Sequence, residues 1–250
     1  MKIERTYIIH RKQDTNRQYL INNLMKNTPC GIFEIVDEDS HLWHQTKPED
    51  EKNLICYWNR KIKLPTVNHY WNMMNIYNDI VKNKYNNVMI YEDDIVITNF
   101  NFKEFQIDNS KLFYNLDTFS NFGYIKGNHK KGISKDDFDH NNPKHVLRLL
   151  QSGAVFNPTW EKTKEFVEMM EKYREKKKGK FRGFDAEKFR CLKLSNKLNN
   201  SVYISESLFN GFHQNENMKS TLGNPTRVIK QFLKKEIPDE CKKKFKRNFN

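Results

Sequence analysis

The sequence predicts an α/β domain built on a mixed, mostly parallel sheet flanked by helices. Short runs rich in β-branched residues alternate with longer stretches whose apolar residues recur at helical spacing, a pattern typical of strands joined by crossover helices. The 250 residues are enough to bury a core without covalent staples, and 18 Phe, 11 Tyr and 4 Trp supply large side chains for it. Because only 37% of the residues are hydrophobic, we expect a very polar surface around that core.

The first three elements are predicted to be a strand, a helix and a strand. Residues 5–10, RTYIIH, form a short β-rich run. The segment that follows has apolar residues at helical spacing, namely Tyr19, Leu20, Leu24 and Met25. A second apolar strand covers residues 31–36 and leads into the acidic sequence DEDS, which begins at Asp37.

The next helix and strand lead to an unusual acidic sequence. An apolar stripe predicts a helix from Pro65 to about Asn86, and the strand VMIY follows it at residues 88–91. Three acids, residues 92–94, come at the C-terminal end of that strand. A site is expected there, because ligands of open α/β sheets bind outside the carboxyl ends of the strands. His69 lies in the apolar stripe, where a hydrogen-bonded core histidine is expected.

The second half of the chain completes the domain. Residues 100–145 are predicted to be mostly loop, with one strand candidate at residues 122–127. The later elements are expected as a strand at 153–156, a helix starting at Asn157-Pro158, a helix at 184–198 and a strand at 201–209. Because no repeat or glycine-rich linker divides the chain, we expect one domain at 1–225 and a basic tail at 226–250.

The positive charge is concentrated in two segments. The formal net charge is +13, and residues 172–193 contain ten Lys/Arg against three acids, whereas residues 226–250 contain nine against three. Such a field attracts polyanions such as nucleic acid, phosphorylated glycolipid or an anionic membrane. The alternative for each segment is a solvated helix face or a frayed basic tail.

Cysteine usage and hydropathy indicate a compartment. The four cysteines, Cys30, Cys56, Cys191 and Cys241, have no C-x-x-C spacing, so neither disulfides nor structural zinc are expected. No stretch approaches the roughly 20 apolar residues that span a bilayer. We expect a soluble protein of the cytoplasm, or of the host cytoplasm if the gene is viral.

Two interpretations of Glu92, Asp93 and Asp94 compete. The first is a polar strand end whose acids face water or a neighbouring lysine. The second is a site for Mg²⁺ or Mn²⁺, which prefer carboxylate oxygen and also hold phosphate. Because the acids interrupt an apolar strand in its middle, VMIY before them and IVI after them, the metal site is favoured.

The segment IYEDD resembles the D-x-D-type motif of GT-A-fold glycosyltransferases, especially the lipooligosaccharide and collagen galactosyltransferase family. Three other segments resemble that family in the same order, and together the four span residues 5–224: YIIHRKQDTNRQYLINNL, LQSGAVFNPTWEKTKEF and ISESLFNGFHQNENMKSTLGN. The resemblance implies a GT-A-like fold and transfer of a sugar from a nucleotide-sugar donor. Uridine is the commonest nucleotide in that family.

The resemblance also implies roles for the matched positions. Asp94 would be the principal metal ligand, with His213 and Glu92 as further ligands of Mn²⁺ or Mg²⁺. Glu92 could instead orient the sugar, and Asp93 could contact the ribose or the metal. Arg11 and Arg17 would pair with the diphosphate, for which a guanidinium is well shaped. The whole set expected at the nucleotide-sugar comprises His10, Arg11, Arg17, Asp37, Glu92, Asp93 and Ser220.

A catalytic carboxylate is expected at the start of a late helix. Inverting transfer needs a base near the acceptor hydroxyl, and the family commonly places an Asp or Glu at such a position. Asp185 and Glu187 match it. Asp185 could equally be a helix N-cap, and in a retaining transfer it would orient the acceptor.

The acceptor is left open between several classes. A hydroxymethylated or already glycosylated pyrimidine in phage DNA is favoured, because the basic segment 172–193 surrounds Asp185. A lipooligosaccharide or a protein acceptor is the alternative, and a non-catalytic nucleic-acid-binding protein with a GT-A shell is a third possibility. The expected DNA contacts are Lys176, Lys177, Lys178, Lys180, Arg182, Lys188 and Arg190.

Overall fold

The computed structural model describes residues 2–45, 64–97, 101–116, 123–133, 137, 139, 142–147, 153–176, 183–197, 201–203 and 209–211. Its helices are α1 (Gln18–Asn27), α2 (Leu64–Asn83), α3 (Trp160–Lys176) and α4 (Phe184–Leu194), and a 3-10 turn at Thr15–Arg17 precedes α1. Its strands are β1 (Arg5–Ile9), β2 (Phe33–Val36), β3 (Val88–Glu92), β4 (Ile95–Ile97), β5 (Phe113–Asn115), β6 (Gly123–Ile125), β7 (Asn128–Ile133), β8 (His145–Leu147), β9 (Ala154–Asn157), β10 (Ser201–Tyr203) and β11 (Phe209–Gly211).

A six-stranded sheet in the order β2-β1-β3-β9-β5-β10 forms the centre. Strand β1 is parallel to both β2 and β3, and β10 is parallel to β5, whereas β9 runs antiparallel between β3 and β5. The predicted fold class, a mixed and mostly parallel sheet flanked by helices, is confirmed. The carboxyl ends of the five strands other than β9 therefore lie along one edge, which we call the carboxyl edge.

Both faces of the sheet are covered. Helices α2, α3 and α4 pack on one face through a core that includes Tyr77, Phe166 and Phe184. On the other face lie α1 and the segment around Phe102. Residues 88–91 are wholly buried, as expected for a central strand with helices or loops on both sides.

Several elements differ from the sequence prediction. Strand β5 was expected to be loop, as were β7 and β8, which form a separate sheet in the order β7-β6-β8. Another pair, β4 and β11, is antiparallel and follows the acidic sequence. On α1, Ile21 is buried whereas Tyr19 is 54% exposed, because the helix turns a different face to the sheet from the one predicted.

Two further features concern membrane-spanning helices and cysteines. No helix in the described segments is both long and apolar enough to cross a membrane. Cys30 and Cys191 are free thiols, and Cys56 and Cys241 lie outside the described residues, as does the expected tail at 226–250.

Candidate functional site

Three neighbouring strands bring their polar ends together at the carboxyl edge. In the register of the sheet, Ile9 pairs with Val36 on one side and with Glu92 on the other. The residues just beyond, His10, Asp37 and Asp93, therefore lie close together although they are far apart in sequence. The parallel pairing of β1 with both neighbours produces this cluster.

Asp93 is held by two side chains from the segment around the 3-10 turn, His10 and Arg17. Its side chain is buried, its Oδ2 lies 2.8 Å from Nδ1 of His10, and its Oδ1 accepts a hydrogen bond from the guanidinium of Arg17. The same guanidinium lies 3.7 Å from Oδ2 of Asp94. Burial alone would lower the pKa of Arg17, but the charges of the two aspartates outweigh it and raise that pKa. Arg17 is therefore a permanent cation that partly offsets the repulsion between the acids.

This position differs from the one expected for Arg17. The sequence predicted a guanidinium that faces a diphosphate, whereas Arg17 is only 6% exposed and lies against Asp93. Arg11 is half-buried in the turn that precedes the 3-10 helix, where its carbonyl accepts a hydrogen bond from the N–H of Asp14. Asp14, which no sequence pattern indicated, lies beside both arginines. Burial raises the pKa of Asp14, against the lowering effect of Arg11 and Arg17.

Glu92 pairs with a histidine of α2. Its Oε1 lies 3.3 Å from Nε2 of His69, a residue for which a core position was predicted. Burial lowers the pKa of His69, while the negative charges of Asp185 and then Asp94 act in the opposite direction. His69 thus lies between the acidic strand end and the first turn of α4.

The N-terminal ends of α2 and α4 meet beside the acids. Gly183 is the N-cap of α4, with φ at 118°, and an added Cβ there would approach Cγ2 of Thr66 to 2.7 Å. Only glycine combines this φ with so close an approach. Asp185 consequently lies in the first turn of α4 and is not its N-cap. Its side chain is half-buried, and its charge acts on His69, which in turn contacts Glu92. This predicted catalytic residue therefore lies in the region of the acidic sequence.

Two predicted site residues face the core and not the surface. Glu187 is fully buried and Lys188 is only 1% exposed. Neither side chain can reach an acceptor hydroxyl or a DNA phosphate at the surface from such a position. Lys188 instead donates a hydrogen bond to Oδ1 of Asn115 over 3.0 Å, and its ammonium lies 5.3 Å from the ring centre of Phe113.

The other predicted site residues are only partly described. Lys176 is exposed, Arg190 is half-buried, and Asp37 is half-buried with its Oδ1 accepting a hydrogen bond from the N–H of Asp39. Six predicted residues lie outside the described part of the chain: Lys177, Lys178, Lys180, Arg182, His213 and Ser220.

The basic end of α3 lies near the carboxyl edge. Helix α3 starts beside the end of α2, where the N–H of Trp160 donates to Oδ1 of Asn86 over 3.1 Å. Its last turns return to the beginning of α2, where the guanidinium of Arg174 lies 4.9 Å from the ring centre of Trp71. The two helices are therefore antiparallel. The exposed Lys176 thus ends a helix that points toward the region of the acids.

The acids at β3 suit a hard cation in their chemistry but do not complete a site by themselves. Within the described ranges, no group of three His, Cys, Asp or Glu could hold a metal ion. Glu92 and Asp94 offer the carboxylate oxygens that Mg²⁺ and Mn²⁺ prefer. Asp93 is engaged by Arg17 and His10, and His213 lies outside the described residues.

No protein-family model matches the sequence, and a search of curated proteins finds no match either. Among solved structures, the chain is similar to a glycosyltransferase involved in the glycosylation of the major capsid of PBCV-1, at 7% identity and a TM-score of 0.42 over 92% of this chain and 99% of that one. It is also similar to the apo-form glycosyltransferase GlyE of Streptococcus pneumoniae TIGR4, at 8% identity and a TM-score of 0.44 over 95% of this chain and 64% of that one. A third similar structure is a nucleoside-diphosphate-sugar pyrophosphorylase from Vibrio cholerae RC9, at 13% identity and a TM-score of 0.34 over 82% and 75% of the two chains. Since every one of these TM-scores is below 0.5, the likenesses carry no argument about activity, which has to rest on the site itself.

Proposed function

We propose that the chain is a metal-dependent glycosyltransferase of the GT-A type that moves a sugar from a nucleotide-sugar donor to a hydroxyl group. One observation carries this proposal. The carboxyl edge gathers the acids of β3, the cations that follow β1, and Asp185 at the start of α4. A donor diphosphate and an acceptor require this combination of negative, positive and proton-accepting groups within one cleft.

The donor half of the site is assigned to the ends of β1 and β2. His10, Arg11 and Asp37 would contact the nucleotide, most commonly uridine in the family that the sequence resembles, together with Ser220. Arg17 would not contact the donor directly, because its guanidinium already binds Asp93. Its charge would still favour a diphosphate nearby, while Arg11 would supply the direct contact.

The metal is assigned to Glu92, Asp94 and His213. Their oxygen and nitrogen donors fit Mn²⁺ or Mg²⁺. When bound, such an ion would stabilise the negative charge that develops on the departing diphosphate. His69 would hold the carboxylate of Glu92 in place through the contact at 3.3 Å.

Asp185 is the candidate base. In an inverting transfer it would take the proton of the acceptor hydroxyl as the new carbon–oxygen bond forms and the bond from the sugar to the diphosphate breaks. In a retaining transfer it would orient that hydroxyl without removing the proton. Glu187, which is buried, is left out of this role.

For the acceptor we propose DNA, in particular a hydroxymethylated or already glycosylated pyrimidine of phage DNA. The exposed basic end of α3 near the carboxyl edge supports a polyanion there. The residues assigned to it are Lys176, Lys177, Lys178, Lys180, Arg182 and Arg190. The reacting hydroxyl would be presented in the major groove or on a flipped base.

Mass spectrometry tests the proposed reaction. Duplex DNA that contains hydroxymethylated pyrimidines is incubated with the protein, Mn²⁺ and mixed UDP- and GDP-sugars, and then digested to nucleosides. We expect a nucleoside heavier by one sugar residue, and its formation should fall by at least about 100-fold in Asp94→Ala. Glu161→Gln removes an exposed carboxylate at the far end of α3 and should leave the yield unchanged.

The other outcomes distinguish the alternatives. Turnover of a nucleotide-sugar without any glycosylated nucleoside would leave the transferase in place and reject DNA, in favour of a lipooligosaccharide or protein acceptor. DNA binding with neither binding nor turnover of any nucleotide-sugar would reject the enzyme, in favour of a nucleic-acid-binding protein.

A further inference from the structure

The buried Lys188 takes no direct part in the proposed reaction. Lysine is almost never fully buried, because its ammonium loses its hydration and the protein interior seldom supplies interactions of equal strength. Lys188 is nevertheless 1% exposed, and its helix is the one that carries the candidate base. Such a residue calls for a specific explanation.

We propose that Lys188 is a positioning residue that fixes the carboxylate of Asp185 from the core side of α4, an inference that rests on the proposed function. Its Nζ lies 4.0 Å from Oδ1 of Asp185, one helical turn earlier. The same Nζ donates to Oδ1 of Asn115, the last residue of β5 at the carboxyl edge. Lys188 therefore connects the sheet to the first turn of α4.

The surroundings of the ammonium hold it in one place. It lies 5.3 Å from the ring centre of Phe113 and 5.8 Å from that of Phe184, distances at which a cation is attracted to an aromatic ring. The hydrogen bond to Asn115 fixes its direction. A charge confined in this way acts as a rigid electrostatic anchor, because its neighbours cannot rearrange around it as water would.

The position of Asp185 explains how the fixed ammonium of Lys188 would affect the reaction. Asp185 lies half-buried in the first turn of a helix whose N-cap, Gly183, has no side chain to order the turn. Lys188 attracts the carboxylate from the core side, and His69 lies near it on the side of the acidic sequence. The attraction of Lys188 restricts the carboxylate to orientations that keep it within reach of the ammonium. A proton acceptor needs such alignment to within a fraction of a bond length.

A purely structural role predicts a different outcome on substitution. If Lys188 only stabilised the fold, Met should lower the free energy of unfolding, because Asn115 loses its buried hydrogen-bond donor, and should leave kcat of the folded protein unchanged. If Lys188 positions Asp185, Met should preserve the fold and impair the transfer step. The two roles are therefore separable by comparing stability with kinetics.

The experiment uses Lys188→Met and Lys188→Arg, with Lys164→Met as the control that removes an exposed lysine from α3. We expect Lys188→Met to lower kcat about 100-fold, measured well below its melting temperature, while Kd for the donor changes less than about two-fold. Loss of the hydrogen bond to Asn115 should lower the melting temperature without unfolding the protein at the assay temperature. Lys188→Arg should recover part of the missing kcat, because it keeps the cation. Lys164→Met should behave as the wild type.

A double-mutant cycle with Asp185→Asn identifies the mechanism. If Lys188 acts through Asp185, Lys188→Met should cause little further loss of kcat in the Asp185→Asn background. An unchanged kcat in Lys188→Met, or the same loss in both backgrounds, would overturn the inference while leaving the transferase intact. A wild type that neither binds nor turns over a nucleotide-sugar would reject the proposed function itself, and this inference with it.

Discussion

At the scale of single residues, the three acids at the end of β3 are not equivalent. Asp93 binds Arg17 and His10, Glu92 binds His69, and Asp94 lies farther from the Arg17 guanidinium than Asp93 does. Each carboxylate therefore has a different electrostatic environment although the three are adjacent in sequence. This explains how a buried strand end tolerates three acids. It also distinguishes Glu92 and Asp94, the candidate metal ligands, from Asp93, which binds the segment after β1.

Arg17→Met should destabilise the fold. It removes the main cation next to a buried carboxylate, and breaking one side of a buried ion pair typically costs about 3 kcal/mol. Chemical denaturation at neutral pH measures the loss. Arg17→Met combined with Asp93→Asn should lose clearly less than Arg17→Met alone, since the second change removes the orphaned charge. Equal losses in the single and double variants would contradict the proposed ion pair.

His69 and Lys188 show which site residues the sequence could reveal. Lys188 could have been assigned to the core, because Phe184, Lys188 and Cys191 recur at helical spacing on the buried face of α4. The local excess of lysine instead suggested a surface. His69 could not be separated from a core histidine, since its pairing with Glu92 depends on how α2 packs beside β3. Helical spacing shows which side of a helix is buried, but not what that side meets.

At the scale of elements, the site depends on how closely α2 and α4 approach. Gly183 allows their N-terminal ends to meet, and this brings Asp185 and His69 to the same region. The segment between β1 and α1 contributes Arg17 and His10, and the end of β3 contributes the acids. Small shifts of either helix would therefore separate the two halves of the site.

Gly183→Ala should be more damaging than an equivalent change elsewhere. The new Cβ would meet Cγ2 of Thr66 at 2.7 Å and would also strain a backbone with φ at 118°, so we expect a loss of about 3 kcal/mol. Gly127→Ala is the matched control, because φ there is 88° but nothing lies within 4 Å of the added Cβ. Denaturation midpoints that fall equally in both variants would argue against tight packing between α2 and α4.

Two tyrosines provide a second test at this scale. The hydroxyl of Tyr7 donates to Oδ2 of Asp79 over 2.5 Å, which joins β1 to α2. The hydroxyl of Tyr77 is buried and has no hydrogen-bond partner among the residues that the structure describes. Tyr7→Phe should therefore cost about 1–2 kcal/mol of unfolding free energy, whereas Tyr77→Phe should be neutral or stabilising. The reverse order in thermal or urea unfolding would show that the packing of α2 is misassigned.

Helices and strands with a long apolar pattern were predicted from the sequence, whereas strands with a short one were missed. Helix α2 and strand β3 could be predicted, because one has a long apolar stripe and the other a run of four large apolar residues. Strand β5 was missed although the apolar Leu112 and Leu116 flank its three residues, FYN, because so short a run becomes a strand only by pairing with β9 and β10. Tertiary pairing, which a single sequence does not display, determines such short strands.

At the scale of the whole molecule, charge is separated along the chain. The acids at the end of β3 are partly neutralised by Arg17, whereas the net positive charge of +13 is concentrated at residues 172–193 and 226–250. The described part of the first segment ends α3 near the carboxyl edge. A polyanion would therefore be attracted to the carboxyl edge, where Asp185 also lies.

Binding to duplex DNA should depend steeply on salt. Each neutralised phosphate releases counterions, so affinity should fall as salt rises, and replacing Lys176, Lys177 and Lys178 by Gln should reduce the log–log slope by roughly 0.9 for each phosphate that the variant no longer neutralises. Fluorescence anisotropy between about 50 and 200 mM salt measures the slope. The control replaces three exposed lysines elsewhere, Lys26, Lys103 and Lys164, and should keep the wild-type slope. An affinity that is flat with salt would reject DNA as the acceptor.

Calorimetric binding of nucleotide-sugars tests the central claim most directly. UDP- and GDP-sugars are titrated into the wild type with and without Mn²⁺, and then into Asp94→Asn and the control Glu161→Gln. We predict that at least one nucleotide-sugar binds in a Mn²⁺-dependent manner, that Asp94→Asn abolishes this binding, and that Glu161→Gln retains it. Binding of none of them, or binding that is unchanged in Asp94→Asn, would contradict the assignment of the β3 acids to a metal and diphosphate site.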